Sequence, residues 1–417
     1  MASGHYAVRV RAPFDPGLYA AGPRADAPDP AELLRAHYGA AAGWALGAER
    51  QGLALALEAA GVGEGDAVAM ADFNGSSMIG PVRDRGARFA FTDVRADWTY
   101  DVDDLARLVR ETRAKALVLT HYFGKSCVTP ALAELVADLK SRGVAVVEDC
   151  AHTLCDAEQP EIGTLGDVAL FSFGNDKAVA VGKCGVALAR NPALAGRMAE
   201  LAAKLPERDS ARERLLVTWN YVYWFLTAPE ICRPGIVSVP ARCDAPPGEG
   251  EFADMLAAVA ESPSLATLRR FPAAASLIEH CGAGGAGEPS RPALAGRAVR
   301  TFAGLTLGSA LLAQGNAARS RNRAFIESAA GLPSGRGARL RYTVAYPDAA
   351  AADRAARAAR AAGVEADCFN WSPLMSDELG IARAHPAWAV LPARVVNYPV
   401  HGYLTEGDLK AISEVVK

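Results

Sequence analysis

One stretch of the chain concentrates residues able to do chemistry. Glu148-Asp149-Cys150-Ala151-His152 is followed by Gly163-Thr164-Leu165-Gly166-Asp167 and then by Phe171-Ser172-Phe173-Gly174-Asn175-Asp176-Lys177. Asp149 closes an apolar run over 144–148 that reads as a buried strand, and open α/β sheets bind ligands beyond such strand ends. His152 follows three residues later, and Ser172 and Lys177 lie at and beyond the end of the next strand, 168–173. A lysine amine forms a Schiff base with a carbonyl. A carboxylate keeps a ring nitrogen protonated, so that the ring accepts electrons. A hydroxyl together with backbone N–H groups binds a phosphate. Pyridoxal 5'-phosphate requires this set of groups.

Each residue also has a plainer reading. Asp149 could cap the following helix, and Lys177 could be an ordinary surface lysine. Cys150, His152 and Cys155 match no tetrahedral zinc spacing and lack a fourth ligand, so no metal site is expected. The glycines at 61, 63 and 65 follow a helix and precede a strand, the reverse of a dinucleotide fingerprint. A GxSxG elbow is absent from the sequence, which argues against that type of serine hydrolase.

The elements that must position these residues alternate. Strand-like runs at 67–70, 88–92, 116–120, 144–148, 168–173 and 186–189 are interleaved with helix-like segments at 52–60, 76–86, 102–112 and 131–142. The strands are continuously apolar rather than alternating, so helices are expected on both faces of a mainly parallel sheet. Residues 1–45 read as an N-terminal arm rich in Pro, Gly and Ala, with one helix at 31–38. A large cofactor-binding domain is expected over 46–300. It is interrupted at about 195–300 by an insertion of two or three helices with Pro- and Gly-rich stretches at 240–250 and 281–287. A long helix over 301–330 then leads into a small C-terminal α+β domain ending at 417, with Arg319, Arg321 and Arg323 expected on a solvated helix end.

Together the three blocks resemble the DegT/DnrJ/EryC1/StrS family of fold-type I pyridoxal phosphate-dependent aminotransferases. That family's pattern runs roughly E-D-x-A-[HQ], G-x-x-G-D, F-S-F-x-x-x-K. The likeness extends to Gly63-Glu64-Gly65-Asp66, Thr120-His121-Tyr122-Phe123-Gly124 and Tyr398-Pro399-Val400-His401. It implies Lys177 as the Schiff-base lysine, Asp149 on the pyridine nitrogen, His152 near the phenolic oxygen and Ser172 on the phosphate. Relatives that act as dehydratases carry His in place of this lysine, so Lys177 favours transamination. The resemblance also implies a homodimer. It further implies an amino acid donor, glutamate in most relatives, and a keto acceptor of the nucleotide-linked keto-sugar class. Other reactions of the same cofactor, such as decarboxylation, elimination or aldol-type cleavage, use the same residues and stay open. So does a degenerate member without catalysis.

The departures from the pattern are specific. Glu49-Arg50 stands where the family has a Gly-Thr phosphate cradle, and Arg50 is a candidate phosphate ligand. Phe73 is the nearest aromatic to the position that stacks on the pyridine ring. Lys183-Cys184-Gly185 replaces Glu-Gly-Gly.

Composition bounds the alternatives. The chain has 417 residues, 51% of them hydrophobic and 22% charged, which suits a folded protein with a large core. With 44 basic against 47 acidic residues, it presents no electrostatic footprint for nucleic acid or an anionic membrane. No apolar run approaches a membrane span, and Met1–Tyr6 shows no signal-peptide pattern, so a cytoplasmic location is expected. Eight sparse cysteines without CxxC spacing point to reduced, mostly buried thiols.

Overall fold

A computed structural model describes residues 7–8, 10–20, 22–24, 26–208, 210–228, 230–232, 245–280, 292–368 and 373–417. Seven strands build the main sheet: β1 (Ala42–Leu46), β2 (Ala67–Ala71), β3 (Arg88–Thr92), β4 (Ala114–Thr120), β5 (Ala145–Asp149), β6 (Val168–Ser172) and β7 (Gly185–Ala189). Their order is β1-β7-β6-β5-β4-β2-β3. The pairs β2–β3, β2–β4, β4–β5 and β5–β6 are parallel, while β6–β7 and β7–β1 are antiparallel. The expected α/β class with a mainly parallel sheet is what forms.

Burial on both faces explains the continuous apolar strands. Val68, Met70, Val118, Val147 and Leu170 pack with Leu53 and Leu57 of the helix Glu49–Ala59. On the other face, Ala69, Leu117, Leu119 and Val146 pack with Leu105 and Val109 of the helix Val102–Thr112 and with Leu132 and Val136 of the helix Pro130–Ser141. Side-chain caps start both of these latter helices: Asp101 accepts from the Asp104 amide and Thr129 from the Leu132 amide.

A second sheet forms from β8 (Tyr342–Ala345), β9 (Asp367–Cys368) and β10 (Val395–Tyr398), in the order β8-β10-β9, all antiparallel. The helices Ala349–Ala361 and Glu406–Val415 pack against it.

Several expectations need correction. Residues 42–45, read as the end of an arm, form with Leu46 an edge strand on the main sheet. The segment 195–300 holds four whole helices among the described residues, Ser210–Leu226, Glu249–Glu261, Leu265–Leu268 and Pro272–Glu279, besides the end of Pro192–Ala202 and the start of Arg297–Gly308. Residues 240–244 and 281–287, part of the Pro- and Gly-rich stretches, lie outside the described residues. The long helix read over 301–330 is two helices, Arg297–Gly308 and Leu311–Ala330. Ser309 is extended at φ −96°, ψ 172° and its hydroxyl accepts from the Leu311 amide, so it stops one helix and caps the next. Arg319 and Arg323 are buried rather than solvated. Arg323 donates to Glu327 Oε2 at 2.6 Å and to the carbonyl of Gly335 at 2.7 Å.

Candidate active site

Three adjacent parallel strands end in polar residues: Thr120 on β4, Asp149 on β5 and Ser172 on β6. The helix Glu49–Ala59 starts beside them. Its first turn is pressed against β7, where a Cβ at Gly185 would overlap the Glu49 amide; only glycine permits that approach. Between these elements opens a cleft of about 210 Å³.

Five of the six expected site residues line this cleft: Arg50, Asp149, His152, Ser172 and Lys177 do, and Phe73 does not. Phe73 is 1% exposed, and its ring packs against Trp98 and Tyr122. Its neighbours Asn74 and Gly75 face the cleft instead, so no Phe, Tyr or Trp is among the lining residues, and the aromatic ring there is the imidazole of His152.

Asp149 is held from two sides. Oδ1 accepts from the Ala151 amide at 3.0 Å and Oδ2 from the Thr120 hydroxyl at 3.3 Å. Thr120 in turn accepts from Asn74 Nδ2 at 2.9 Å. Burial pushes the Asp149 carboxyl above its usual range, although the Ala151 amide and the charges of Lys177 and His121 pull it back.

His152 accepts a hydrogen bond at Nδ1 from the Phe123 amide, 3.1 Å away, and its ring lies nearly parallel to Phe123 at 17°. An accepting Nδ1 places the proton on Nε2 and keeps the ring neutral. Burial has the same effect, and with the charges of Lys177 and Arg341 it holds the imidazole well below the usual histidine range. Phe123 reaches this position with a left-handed backbone, φ 57°, which is uncommon for an aromatic residue and is overridden here by its buried surroundings.

Lys177 Nζ lies 3.4 Å from Asp176 Oδ2, and Arg341 Nη2 donates to the same oxygen at 2.7 Å. Sequence reasoning assigned no role to Asn74, Asp176, Lys183 or Arg341. Adjacency to Lys177 was a usable signal for Asp176, whereas Arg341 comes from the segment leading into β8 and carries no local signal. Glu49 lines the cleft with Oε1 buried and without a hydrogen-bond partner. Burial and the neighbouring Asp149 push its carboxyl well above the usual range, against the opposing charges of Lys177 and Arg50.

The spacing of the first two sequence blocks also has a physical basis. Glu148 Oε1 accepts from the amides of Leu165 and Gly166 at 2.8 and 2.6 Å, and Oε2 from the Gly163 amide at 3.0 Å. Asp167 Oδ2 accepts from the Val146 amide at 2.9 Å. The second block is therefore fastened to the strand that carries the first.

The sequence profile of the DegT/DnrJ/EryC1/StrS aminotransferase family matches residues 9–215. The chain belongs to this family. Among curated proteins, the GDP-perosamine synthase of Escherichia coli O157:H7 is 30% identical over 147 residues, 35% of this chain and 39% of that protein. The spore coat polysaccharide biosynthesis protein SpsC of Bacillus subtilis is 33% identical over 152 residues, 36% and 38% of the two chains. The chain thus spans about two fifths of the length of these relatives. Among solved structures, the aminotransferase TlmJ from Streptoalloteichus hindustanus has a TM-score of 0.64 at 20% identity, covering 100% of this chain and 98% of that one. The sugar aminotransferase Spr1654 from Streptococcus pneumoniae, described as putative and in its PMP-form, gives 0.66 at 15% identity, covering 99% and 97%. These likenesses show that the fold of those two aminotransferases extends over the whole chain, beyond residues 9–215.

The donor set of the cleft fits pyridoxal 5'-phosphate. It offers an amine, a strand-end carboxylate, a neutral imidazole and a hydroxyl, together with a glycine that lets the start of a helix come close.

Proposed function

We propose that the protein is a pyridoxal phosphate-dependent aminotransferase that moves an amino group from an amino acid donor, glutamate, to a nucleotide-linked keto-sugar. The observation that carries this reading is the convergence of Lys177, Asp149, His152 and Ser172 on one cleft at the strand ends. The names of the relatives support the substrate class. One is the dTDP-3-amino-3,4,6-trideoxy-alpha-D-glucose transaminase of Micromonospora megalomicea and another the UDP-4-amino-4-deoxy-L-arabinose–oxoglutarate aminotransferase of Shewanella sediminis.

When bound, the cofactor supplies an electron sink for charge that develops at the substrate carbon. Lys177 Nζ is the amine that would hold the cofactor's aldehyde carbon. Once released, the same atom is the base that moves a proton at the reacting carbon. Asp149 would hold the proton on the ring nitrogen, and its links to Thr120 and Ala151 fix its orientation for that task. His152, neutral and with its proton on Nε2, presents a donor rather than a charge beside the ring. Ser172 and Arg50 would donate to the phosphate. Asp176, bridged to Arg341, orients Lys177.

The reading includes a homodimer and a cytoplasmic location. In keeping with the latter, none of the helices among the described residues is long and apolar enough to cross a membrane. Light scattering on the purified protein checks the dimer.

The test of the whole reading is spectroscopic and chemical. Purified protein mixed with pyridoxal phosphate should develop a visible absorption band. L-glutamate should bleach it with release of 2-oxoglutarate, and a nucleotide-linked keto-sugar should restore it. A protein that binds pyridoxal phosphate yet releases carbon dioxide or a cleaved aldehyde from amino acids would instead belong to another reaction of this cofactor.

A further inference from the structure

The start of the helix Glu49–Ala59 is unusual for a phosphate cradle because a carboxyl group occupies it. Ala48, the residue before the first turn, provides no side-chain cap; its carbonyl accepts from the Gln51 amide at 3.1 Å, but it offers no side-chain acceptor to the amides of Glu49 and Arg50. Glu49 is 8% exposed, lines the cleft and has Oε1 buried without a partner. The overlap that a Cβ at Gly185 would make with the Glu49 amide means that this turn cannot retreat into the sheet. A buried, half-satisfied carboxyl group is costly unless it finds a partner.

The groups around it decide its state. From β5 it faces Asp149 and Cys150, and from the loop before β7 it faces Lys177, Asp176, Lys183 and Cys184. Arg50 follows it on its own helix, and Arg208 lies over Gly47 two residues earlier. Two basic side chains, Lys177 and Arg50, oppose the burial and the Asp149 charge, which together favour the uncharged acid. An uncharged carboxylic acid is a hydrogen-bond donor whose best partner is an anionic oxygen.

We propose that Glu49 donates a hydrogen bond from its carboxylic acid to the cofactor's phosphate, and that cofactor affinity therefore depends on the ionisation of this one side chain. This rests on the pyridoxal phosphate reading above. In the acid form Glu49 adds a donor to those of Ser172, Arg50 and the helix amides. Once ionised, it loses the donor and places a negative charge against the phosphate. Affinity must then fall as pH rises.

The experiment compares pyridoxal 5'-phosphate with pyridoxal, which lacks the phosphate. Both are titrated at about pH 7 and about pH 9, where the phosphate is already a dianion. The readout is the dissociation constant from visible absorbance, and circular dichroism confirms folding. Effects of pH on Lys177 and on the aldehyde are common to both ligands and cancel in their ratio. For the parent protein the preference for pyridoxal phosphate over pyridoxal should drop by about tenfold or more between the two pH values. In Glu49→Gln, whose amide stays a donor, the preference should hold at both. A ratio unchanged with pH in the parent, or falling equally in Glu49→Gln, overturns the assignment. If neither protein develops a visible band with pyridoxal phosphate, the cofactor reading falls and takes this inference with it.

Discussion

Glu148 and Asp149 are consecutive on β5, and their carboxylates serve opposite faces of the sheet. Successive strand residues point to opposite sides. Val147 and Asp149 share the side covered by the helix Glu49–Ala59, while Val146 and Glu148 share the side covered by the helices Val102–Thr112 and Pro130–Ser141. One carboxylate therefore opens on the cleft and the other fastens the loop beneath it. The Glu-Asp pair of the sequence is a functional residue next to its structural support.

Replacing Lys177 with Ala should abolish turnover and the visible band with pyridoxal phosphate, while leaving the fold intact. The side chain is largely enclosed, yet its salt-bridge partner among the described residues is the half-exposed Asp176, so its removal should cost less than about 1 kcal/mol of stability. Absorbance and a denaturant titration check both halves. A retained band together with full activity would reject the lysine assignment.

Asp149→Asn should keep the cofactor and lose rate. The amide still meets Thr120 and Ala151 but no longer holds a proton on the ring nitrogen. A charged partner lost from such a site raises the barrier by several kcal/mol, on the order of a hundredfold or more in kcat. Single-turnover kinetics at saturating cofactor give the number, and an unchanged rate would remove this role.

Glu148→Ala should destabilise the protein without touching the chemistry directly. It strands the amides of Gly163, Leu165 and Gly166, together with His121, whose Nε2 lies 2.9 Å from Oε2. All but the partly buried Leu165 amide are enclosed, so a loss of about 3–5 kcal/mol is expected in urea unfolding. Glu148→Gln should recover only part of this, since its amide group faces donors. A variant as stable as the parent would show that these bonds contribute little.

Stability should fall as pH rises through the weakly acidic range, and Glu213 is one identifiable cause. Burial raises its carboxyl to about 7, against the amides of Gly296 and Val299 and the charges of Arg208 and Arg300. The folded state therefore holds this proton more tightly than the unfolded one. The proton's contribution is complete below about pH 4.5, decays up to about pH 7, and is gone above it, a loss of about 3 kcal/mol. Thermal unfolding of Glu213→Gln should show a shallower decline over that window. Parallel curves for the two proteins would contradict the assignment.

The parts of the fold that could be read from the sequence were those where one physical signal dominates. Apolar runs such as Ala116-Leu117-Val118-Leu119 mark strands covered on both faces, and the polar residues that end them mark the cleft. β1 escaped detection because Ala42-Gly43-Trp44-Ala45-Leu46 has little strand preference of its own and is held by pairing with β7. The break at Ser309 escaped because Leu305, Leu307, Ala310, Leu311 and Leu312 around it are good or fair helix formers, although a serine after glycine is itself a capping signal. Arg319 and Arg323 read as solvated because charge normally is. Arg323 is satisfied by the carbonyls of Gly335 and Gly337, brought in from beyond the helix, and Arg319 donates to Asn316 one turn earlier. The enclosure that favours the neutral form of Glu49 has no signature in the sequence.

The anchoring of residues 7–11 has a consequence during synthesis. The Ala7 amide donates to the Gly363 carbonyl, His401 Nε2 pairs with the Val8 carbonyl 393 positions earlier, and Arg11 lies over the rings of Trp224 and Tyr403. A ribosome needs on the order of tens of seconds to add that many residues. Through that interval the segment 7–11 has none of its final contacts with 363, 401 and 403, while β1 to β7 are made. Ala7, Val8 and Arg11 can therefore take up their contacts with 363, 401 and 403 only after all seven strands of the main sheet have been made.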